Sequence, residues 1–213
     1  FCMVWASFIA VLSPTMAQQS EWGGGMDTSW STPGNWSSGV PATSGTALFG
    51  NQPSDAPVTI SVAEGANTSA LTFSNTGARS YTFTGETLTL YATGTLAKID
   101  TTNTSGIAAI TFNNNIYYTH ATASGSEARL TIGAPGRNRF STLTFNGSII
   151  TDVDGSDVGN RTLTINMHAD SVLILNAKNQ VPQLSFGGAG EVVVGHVNAL
   201  GETSAVQKTS SSL

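Results

Sequence analysis

The side chains of this chain that are best suited to chemistry lie in one short acidic segment. It reads Asp152-Val153-Asp154-Gly155-Ser156-Asp157, so three carboxylates surround a glycine turn. Ca²⁺ takes six to eight oxygen ligands, and this clustering makes Asp152, Asp154 and Asp157 candidate calcium ligands. The bidentate Glu that closes an EF-hand loop is absent. The alternative interpretation is a solvated turn in which the Asp side chains cap the backbone.

Catalysis at this segment would need a second polar group from a neighbouring part of the fold. A glycosidase uses two carboxyl groups roughly 5–10 Å apart, and Asp170 or Glu191 would have to supply the second one. A polysaccharide lyase would use a base such as Arg161 or Lys178. No spacing in the sequence fixes such a pair, so we predict no catalytic residue.

The second candidate site is aromatic. Trp22, Trp30 and Trp36 lie close together in a segment rich in Gly, Ser and Thr. Their rings are suited to stacking on sugar faces, which predicts a glycan-binding platform. The alternative is that they cover the open end of a hydrophobic core, because a repeat array exposes its core at its ends.

Composition excludes several classes of function. Only 10% of the 213 residues are charged, against about 25% in ordinary globular proteins, and the net charge is −5. Nucleic acids and anionic membrane surfaces require a basic patch, which this sequence lacks. The one cysteine, Cys2, offers neither a disulfide framework nor a CxxC metal site.

The N-terminus has the features of an export signal. An apolar run over residues 4–12 is followed by Ser13-Pro14 and by the small residue Ala17, although no basic residue precedes the run. The run is shorter than the ~20 apolar residues that a membrane-spanning helix needs. We therefore expect residues 1–17 to be a signal peptide, a secreted or cell-surface location, and no membrane span in this segment.

A five-residue pattern recurs along the chain. Leu143-Thr144-Phe145-Asn146-Gly147 has variants that begin at Leu71, Ile110 and Leu184. Imperfect repeats of tens of residues are typical of solenoids, in which each unit buries its apolar face against its neighbours. Leu143 and Phe145 are predicted to point inward and Thr144 outward. If the copies align, outward threonines (Thr72, Thr111, Thr144) and corner asparagines (Asn75, Asn113, Asn146) would form ladders.

The remaining pattern predicts an all-β fold. Short segments that alternate apolar residues with Thr or Ser end at Gly, Asn or Asp, and no helical periodicity of useful length occurs. The predicted strands are 58–62, 70–73, 81–84, 87–91, 96–99, 107–112, 128–132, 143–145, 148–151, 161–166, 172–175, 184–186 and 191–194. An antiparallel sandwich and a parallel β-helix both fit alternation, and the recurring corners favour the β-helix, with about eight coils.

The order of these features resembles a known family. Trp30-Ser31, Asn35-Trp36-Ser37 and Gly39-Val40-Pro41, followed by the strand patterns and ending at Asn198-Ala199-Leu200-Gly201, are similar to bacterial autotransporter-associated β-strand repeat proteins. The resemblance implies a β-helical passenger of an exported, cell-surface or outer-membrane protein.

We accordingly expect a signal peptide (1–17), a Trp-rich N-terminal cap (18–50), solenoid repeats (51–201) and a polar tail (202–213) at the end of a fragment. The leading functional hypothesis is a non-catalytic stalk or adhesive passenger, with an extracellular glycan or a cell-surface ligand as partner and no cofactor other than calcium. The alternatives are a carbohydrate-active β-helix, either a lyase or a glycosidase, and a glycan-binding module.

Overall fold

The computed structural model describes residues 18–50, 56–74, 79–92, 96–101, 107–120, 128–132, 140–151, 161–167, 171–181, 183–200 and 205–209. These residues form an all-β fold, as the alternating pattern predicts, with a single 3₁₀ turn at Pro33–Asn35 as the helical element among them. The strands are β1 Gln19–Glu21, β2 Thr46–Phe49, β3 Val58–Val62, β4 Asn67–Thr68, β5 Ala70–Phe73, β6 Ser80–Gly85, β7 Leu88–Ala92, β8 Leu96–Asp100, β9 Ile107–Phe112, β10 Ile116–His120, β11 Ala128–Ile132, β12 Phe140–Phe145, β13 Ile149–Thr151, β14 Arg161–Met167, β15 Val172–Leu175, β16 Gln183–Gly188, β17 Glu191–Val194 and β18 Ala205–Thr209.

These strands form three parallel sheets. The largest has the order β1-β2-β5-β8-β11-β14-β16-β18, the second β17-β15-β12-β9-β6-β3 and the third β13-β10-β7-β4. From β5 to β14 the chain visits the three sheets in a fixed cycle, and each strand pairs with the one from the preceding circuit. Parallel pairing requires long crossover connections rather than tight hairpins. The antiparallel sandwich therefore does not describe these residues.

Alternation along each strand builds one continuous apolar core. In β12, Leu143 and Phe145 are buried while Thr144 is half-exposed, as expected for side chains that point to opposite faces of a strand. Phe112 stacks on Phe83 with ring centroids 4.8 Å apart and on Phe145 at 5.1 Å. These separations match the ~4.7–4.9 Å spacing of neighbouring strands, so the rings stack in register with the backbone.

The recurring five-residue pattern occupies two different sheets. The copies that begin at Ile110 and Leu143 pair with each other in the six-stranded sheet. The copies at Leu71 and Leu184 lie in the eight-stranded sheet instead. The condition that all four copies align is therefore not met, because an inward-outward alternation closed by a polar corner suits either sheet.

The predicted ladders divide in the same way. Thr111 pairs with Thr144, whereas Thr72 is the partner of Leu48 and Asp100 in the other sheet. The amide of Asn146 donates to the Oδ1 atom of Asn113 at 2.7 Å. Asn176, which was not predicted, donates to Asn146 at 2.8 Å and extends this asparagine ladder. Asn75 lies outside the described residues.

The N-terminal segment covers the outer edge of two sheets. β1 pairs with β2 at the edge of the eight-stranded sheet. At the edge of the six-stranded sheet, the Trp30 amide donates to the Ser61 carbonyl and the Ser61 amide donates to the Thr28 carbonyl. Edge strands with unpaired N–H and C=O groups invite pairing with other chains, and this arrangement satisfies those groups.

At the other end, β18 falls within the segment that we expected to be a polar tail. Ala205–Thr209 pairs in parallel with β16 and extends the eight-stranded sheet. Throughout the part of the chain that the structure describes, no helix has the length and apolarity needed to cross a membrane.

Candidate functional site

The three predicted glycan-binding tryptophans lie together at the N-terminal end of the core. Trp22 and Trp30 each make an edge-on contact with Trp36, at centroid distances of 5.0 and 4.9 Å. All three side chains are buried, Trp30 completely. Trp36 donates its indole N–H to the Trp30 carbonyl at 2.7 Å. The cluster therefore stabilises the end of the core, and none of the three rings has a face fully open to solvent.

The predicted calcium ligands Asp152, Asp154 and Asp157 lie outside the described residues, and so does Asp170. Within the described ranges, no group of three or more His, Cys, Asp or Glu side chains is arranged to hold a metal ion. Calcium binding at Asp152, Asp154 and Asp157 therefore stays a prediction.

The other polar residues that the sequence singled out are dispersed. Glu191 is exposed at the start of β17, and Lys178 is half-exposed in the connection between β15 and β16. Arg161 begins β14 in a different sheet from Glu191.

A groove of about 400 Å³ lies beside the tryptophan cluster. We call it the Arg79 groove. Its lining combines residues of the N-terminal segment with residues at the start of β3 and just before β6: Trp22, Gly23, Gly24, Asp27, Thr28, Ala56, Pro57, Val58, Thr59 and Arg79. Its volume is within the range of roughly 300–1,000 Å³ that is typical of small-molecule sites.

One wall of the groove is held rigid by Asn35. The Asn35 side-chain oxygen accepts hydrogen bonds from the amides of Met26 and Asp27, and its Nδ2 donates to Asp27 Oδ1 at 2.6 Å. The Asn35 carbonyl also accepts from the Gly23 amide at 2.7 Å. Because Asn35 is almost completely buried, these bonds fix the course of residues 23–27.

Asp27 is positioned by the same network. Its Oδ1 also accepts from the Ser29 amide at 2.7 Å, and its Oδ2 accepts from the Thr32 hydroxyl at 2.9 Å. These hydrogen bonds, first that from Ser29 and then those from Asn35 and Thr32, hold the pKa of Asp27 below its ordinary value of 3.8. Asp27 is thus an exposed carboxylate at the rim of the groove.

Arg79 contributes the positive charge of the groove. Its side chain is only 5% exposed. No hydrogen bond or ion pair joins its guanidinium to any residue in the described ranges. The register of β3 with β6 pairs Val58 with Tyr81, which places Arg79 at the end of β6 that borders Pro57.

The charge of Arg79 also acts on the buried core. Burial raises the pKa of Tyr81 to about 12, the positive charge of Arg79 lowers it, and the negative charge of Glu21 adds to the increase. The Tyr81 hydroxyl is buried without a hydrogen-bond partner in the described part of the chain. The Tyr81 hydroxyl therefore lies where the charge of Arg79 is little screened by water.

Sequence reasoning did not identify this groove. Asp27 and Asn35 carry a recognisable signal, since short polar side chains at these spacings close turns through their own backbone. Arg79 carries none, because it is a single basic residue before a strand. Its position is set by the pairing of β3 with β6, which the sequence does not specify.

In comparisons with known proteins, no protein-family model, no curated protein and no solved structure matches this chain.

Proposed function

We propose that this chain is an exported, non-catalytic β-solenoid segment of a bacterial surface protein, acting as a structural stalk or an adhesive passenger. In this proposal the three parallel sheets are the faces of one parallel β-helix of about eight coils, closed by the tryptophan cluster as a cap. The resemblance to autotransporter-associated β-strand repeat proteins supports the same assignment.

The observation that carries the proposal is the register between successive circuits. Hydrogen bonds between the turns that follow neighbouring strands join residues 28, 33 and 30 positions apart, as Asn114 does with Glu86, Asn146 with Asn113, and Asn176 with Asn146. Strand partners in the eight-stranded sheet lie between 21 residues apart (Thr162 with Gln183) and 33 residues apart (Ala128 with Arg161). One coil per 21–33 residues accounts for all these contacts, because the same side of the coil returns at each circuit.

Such an architecture suits a stalk for a physical reason. Each rung buries its apolar residues only against the rungs above and below, so length can increase without a new kind of core. At ~4.8 Å per rung, eight rungs extend over roughly 35–40 Å. A surface of this kind also presents loops and grooves at fixed intervals, which is what an adhesive passenger requires.

Export is tested with a reporter fusion. Residues 1–17 are fused to a β-lactamase that lacks its own signal, and the enzyme is assayed in the periplasm of a Gram-negative host. We expect periplasmic activity, and its loss when Val11 and Leu12 are both replaced by Asp, since charges disrupt the apolar region of a signal. Replacement of Gln18 by Asn is the matched control. Activity that stays in the cytoplasm would contradict the export part of the proposal.

A further inference from the structure

The Arg79 groove contains a mostly buried cation to which no described residue is joined by a hydrogen bond or an ion pair. We propose that this groove binds a uronic-acid unit of an acidic polysaccharide, with the sugar carboxylate on the Arg79 guanidinium. The inference deepens the adhesive form of the proposed function and rests on it for its biological meaning.

The first argument is the charge. Taking a guanidinium out of water is unfavourable unless it is paired and hydrogen-bonded, and Arg79 is 5% exposed. Asp27 faces the same groove, but its carboxylate oxygens already accept from Ser29, Thr32 and Asn35. No ion pair joins Asp27 to Arg79 within the described ranges. An incoming anion would supply the missing partner.

The second argument is the geometry of the cation. A guanidinium presents its N–H donors as a planar fork that matches the two oxygens of a carboxylate. Such a pair is stronger where water is excluded, and most of the Arg79 side chain is buried. The site therefore favours a carboxylate over a neutral hydroxyl at this position.

The third argument is the remainder of the lining, which suits a ring rather than a bare ion. Pro57 and Val58, backed by Trp22, give the groove an apolar wall, against which the C–H face of a sugar can pack. Thr28 and Thr59 provide hydroxyl groups for the ring hydroxyls. A volume of about 400 Å³ is also larger than a small inorganic anion fills.

The test compares ligands that differ only in charge. Trigalacturonic acid and its fully methyl-esterified form are titrated into the protein by isothermal calorimetry, with sodium acetate and sodium sulfate as small-anion probes. We expect the free acid to bind at least tenfold more tightly than the ester or either small anion. We also expect its affinity to weaken as salt is raised.

Variants then assign the binding to the groove. Arg79→Gln should weaken trigalacturonate binding tenfold or more, and Arg79→Lys should give an intermediate value, because Lys keeps the charge but not the fork. Lys98→Gln removes an exposed cation on β8 and is the matched control, with affinity unchanged within twofold. Thermal melting of Arg79→Gln should match or exceed that of the unaltered protein, since an unpaired buried charge is removed.

The assignment would be overturned by an absence of trigalacturonate binding, by equal binding of acid and ester, or by unchanged affinity in a folded Arg79→Gln. Acetate or sulfate binding as tightly as the trisaccharide would reduce the groove to a site for small anions and would also overturn it. A melting temperature that falls sharply in both Arg79→Gln and Arg79→Lys would mean that Arg79 has a structural partner. None of these results bears on export or on the stacking of the coils, which are tested separately.

Discussion

Replacement of Phe112 by alanine tests whether the rungs are held together by a continuous aromatic stack. Phe112 is completely buried and stacks on two rings, those of Phe83 and Phe145. Truncation of a buried Phe to Ala costs about 3–5 kcal/mol, because both the transfer energy and a cavity term are lost.

The stack makes a graded expectation possible. Phe112 stacks on two rings, whereas Phe145 stacks on one. The partner of Phe145 in the next strand is Leu175, which has no aromatic ring. A stacked aromatic contact contributes ~0.5–1.5 kcal/mol beyond its buried area. We therefore expect Phe112→Ala to lower the free energy of unfolding by about 1 kcal/mol more than Phe145→Ala does. Val197→Ala, at a side chain 91% exposed, is the control and should change it by less than about 0.5 kcal/mol.

The assay is urea unfolding followed by two signals. Far-ultraviolet circular dichroism reports all the rungs, whereas emission of the clustered tryptophans reports the N-terminal end. Because neighbouring rungs stabilise one another, a break at Phe112 should lower the dichroism midpoint more than the tryptophan midpoint. Equal effects of Phe112→Ala and Val197→Ala, or a larger effect of Phe145→Ala than of Phe112→Ala, would refute the reasoning.

Three further predictions follow from single contacts. Asn146→Ala removes two exposed hydrogen bonds of the asparagine ladder and should lower the free energy of unfolding by about 1 kcal/mol in urea titrations. An unchanged free energy of unfolding would show that the ladder does not stabilise the fold. Asp27→Asn should lower the melting temperature at pH 7, because the hydrogen bonds that depress the pKa of Asp27 stabilise the fold only while its carboxylate is charged. The difference in melting temperature between variant and unaltered protein should therefore shrink as the pH falls below 3.8. A difference that does not change with pH would contradict this cause. Gly85→Ala should lower the free energy of unfolding by about 2 kcal/mol, since Gly85 has φ +96° and a Cβ there would lie 2.5 Å from a carbonyl oxygen of the neighbouring strand. Gly25→Ala, which has open space around it, is the control and should be nearly neutral in the same urea titration.

Much of the local structure could be predicted from the sequence. Strands such as β3, β9 and β15 have the predicted bounds, because an inward-outward alternation between polar corners is a local property. β10 was missed, since only the three residues Asn113–Asn115 separate it from β9 and no Gly or Pro marks the corner. β18 was missed because a Ser- and Thr-rich segment has no distinct apolar face.

The arrangement of the strands could not be predicted to the same depth. Connections of unequal length determine which copies of the repeated pattern stack on one another. In the sequence alone, the copies that begin at Leu71 and Leu143 look the same, so their assignment to different sheets could not be predicted. For the same reason, the Arg79 groove could not be predicted from the sequence. Asp27 and Arg79 are far apart in the chain, and they line one groove because the N-terminal segment folds over the edge of the six-stranded sheet.

The stacking of the coils is tested most directly by a disulfide between residues on neighbouring rungs. Thr111 and Thr144 are partners in adjacent parallel strands, and Thr82 is the partner of Thr111 one rung earlier. Strands ~4.8 Å apart bring Cα atoms within the ~4.4–6.8 Å range that a disulfide requires, whereas residues two rungs apart are outside it. In a Cys2→Ser background, mild oxidation should cross-link Thr111→Cys with Thr144→Cys and should leave Thr82→Cys with Thr144→Cys as free thiols, as read from gel mobility and thiol titration. Failure of the first pair to cross-link, or equal cross-linking of both pairs, would contradict the β-helical account.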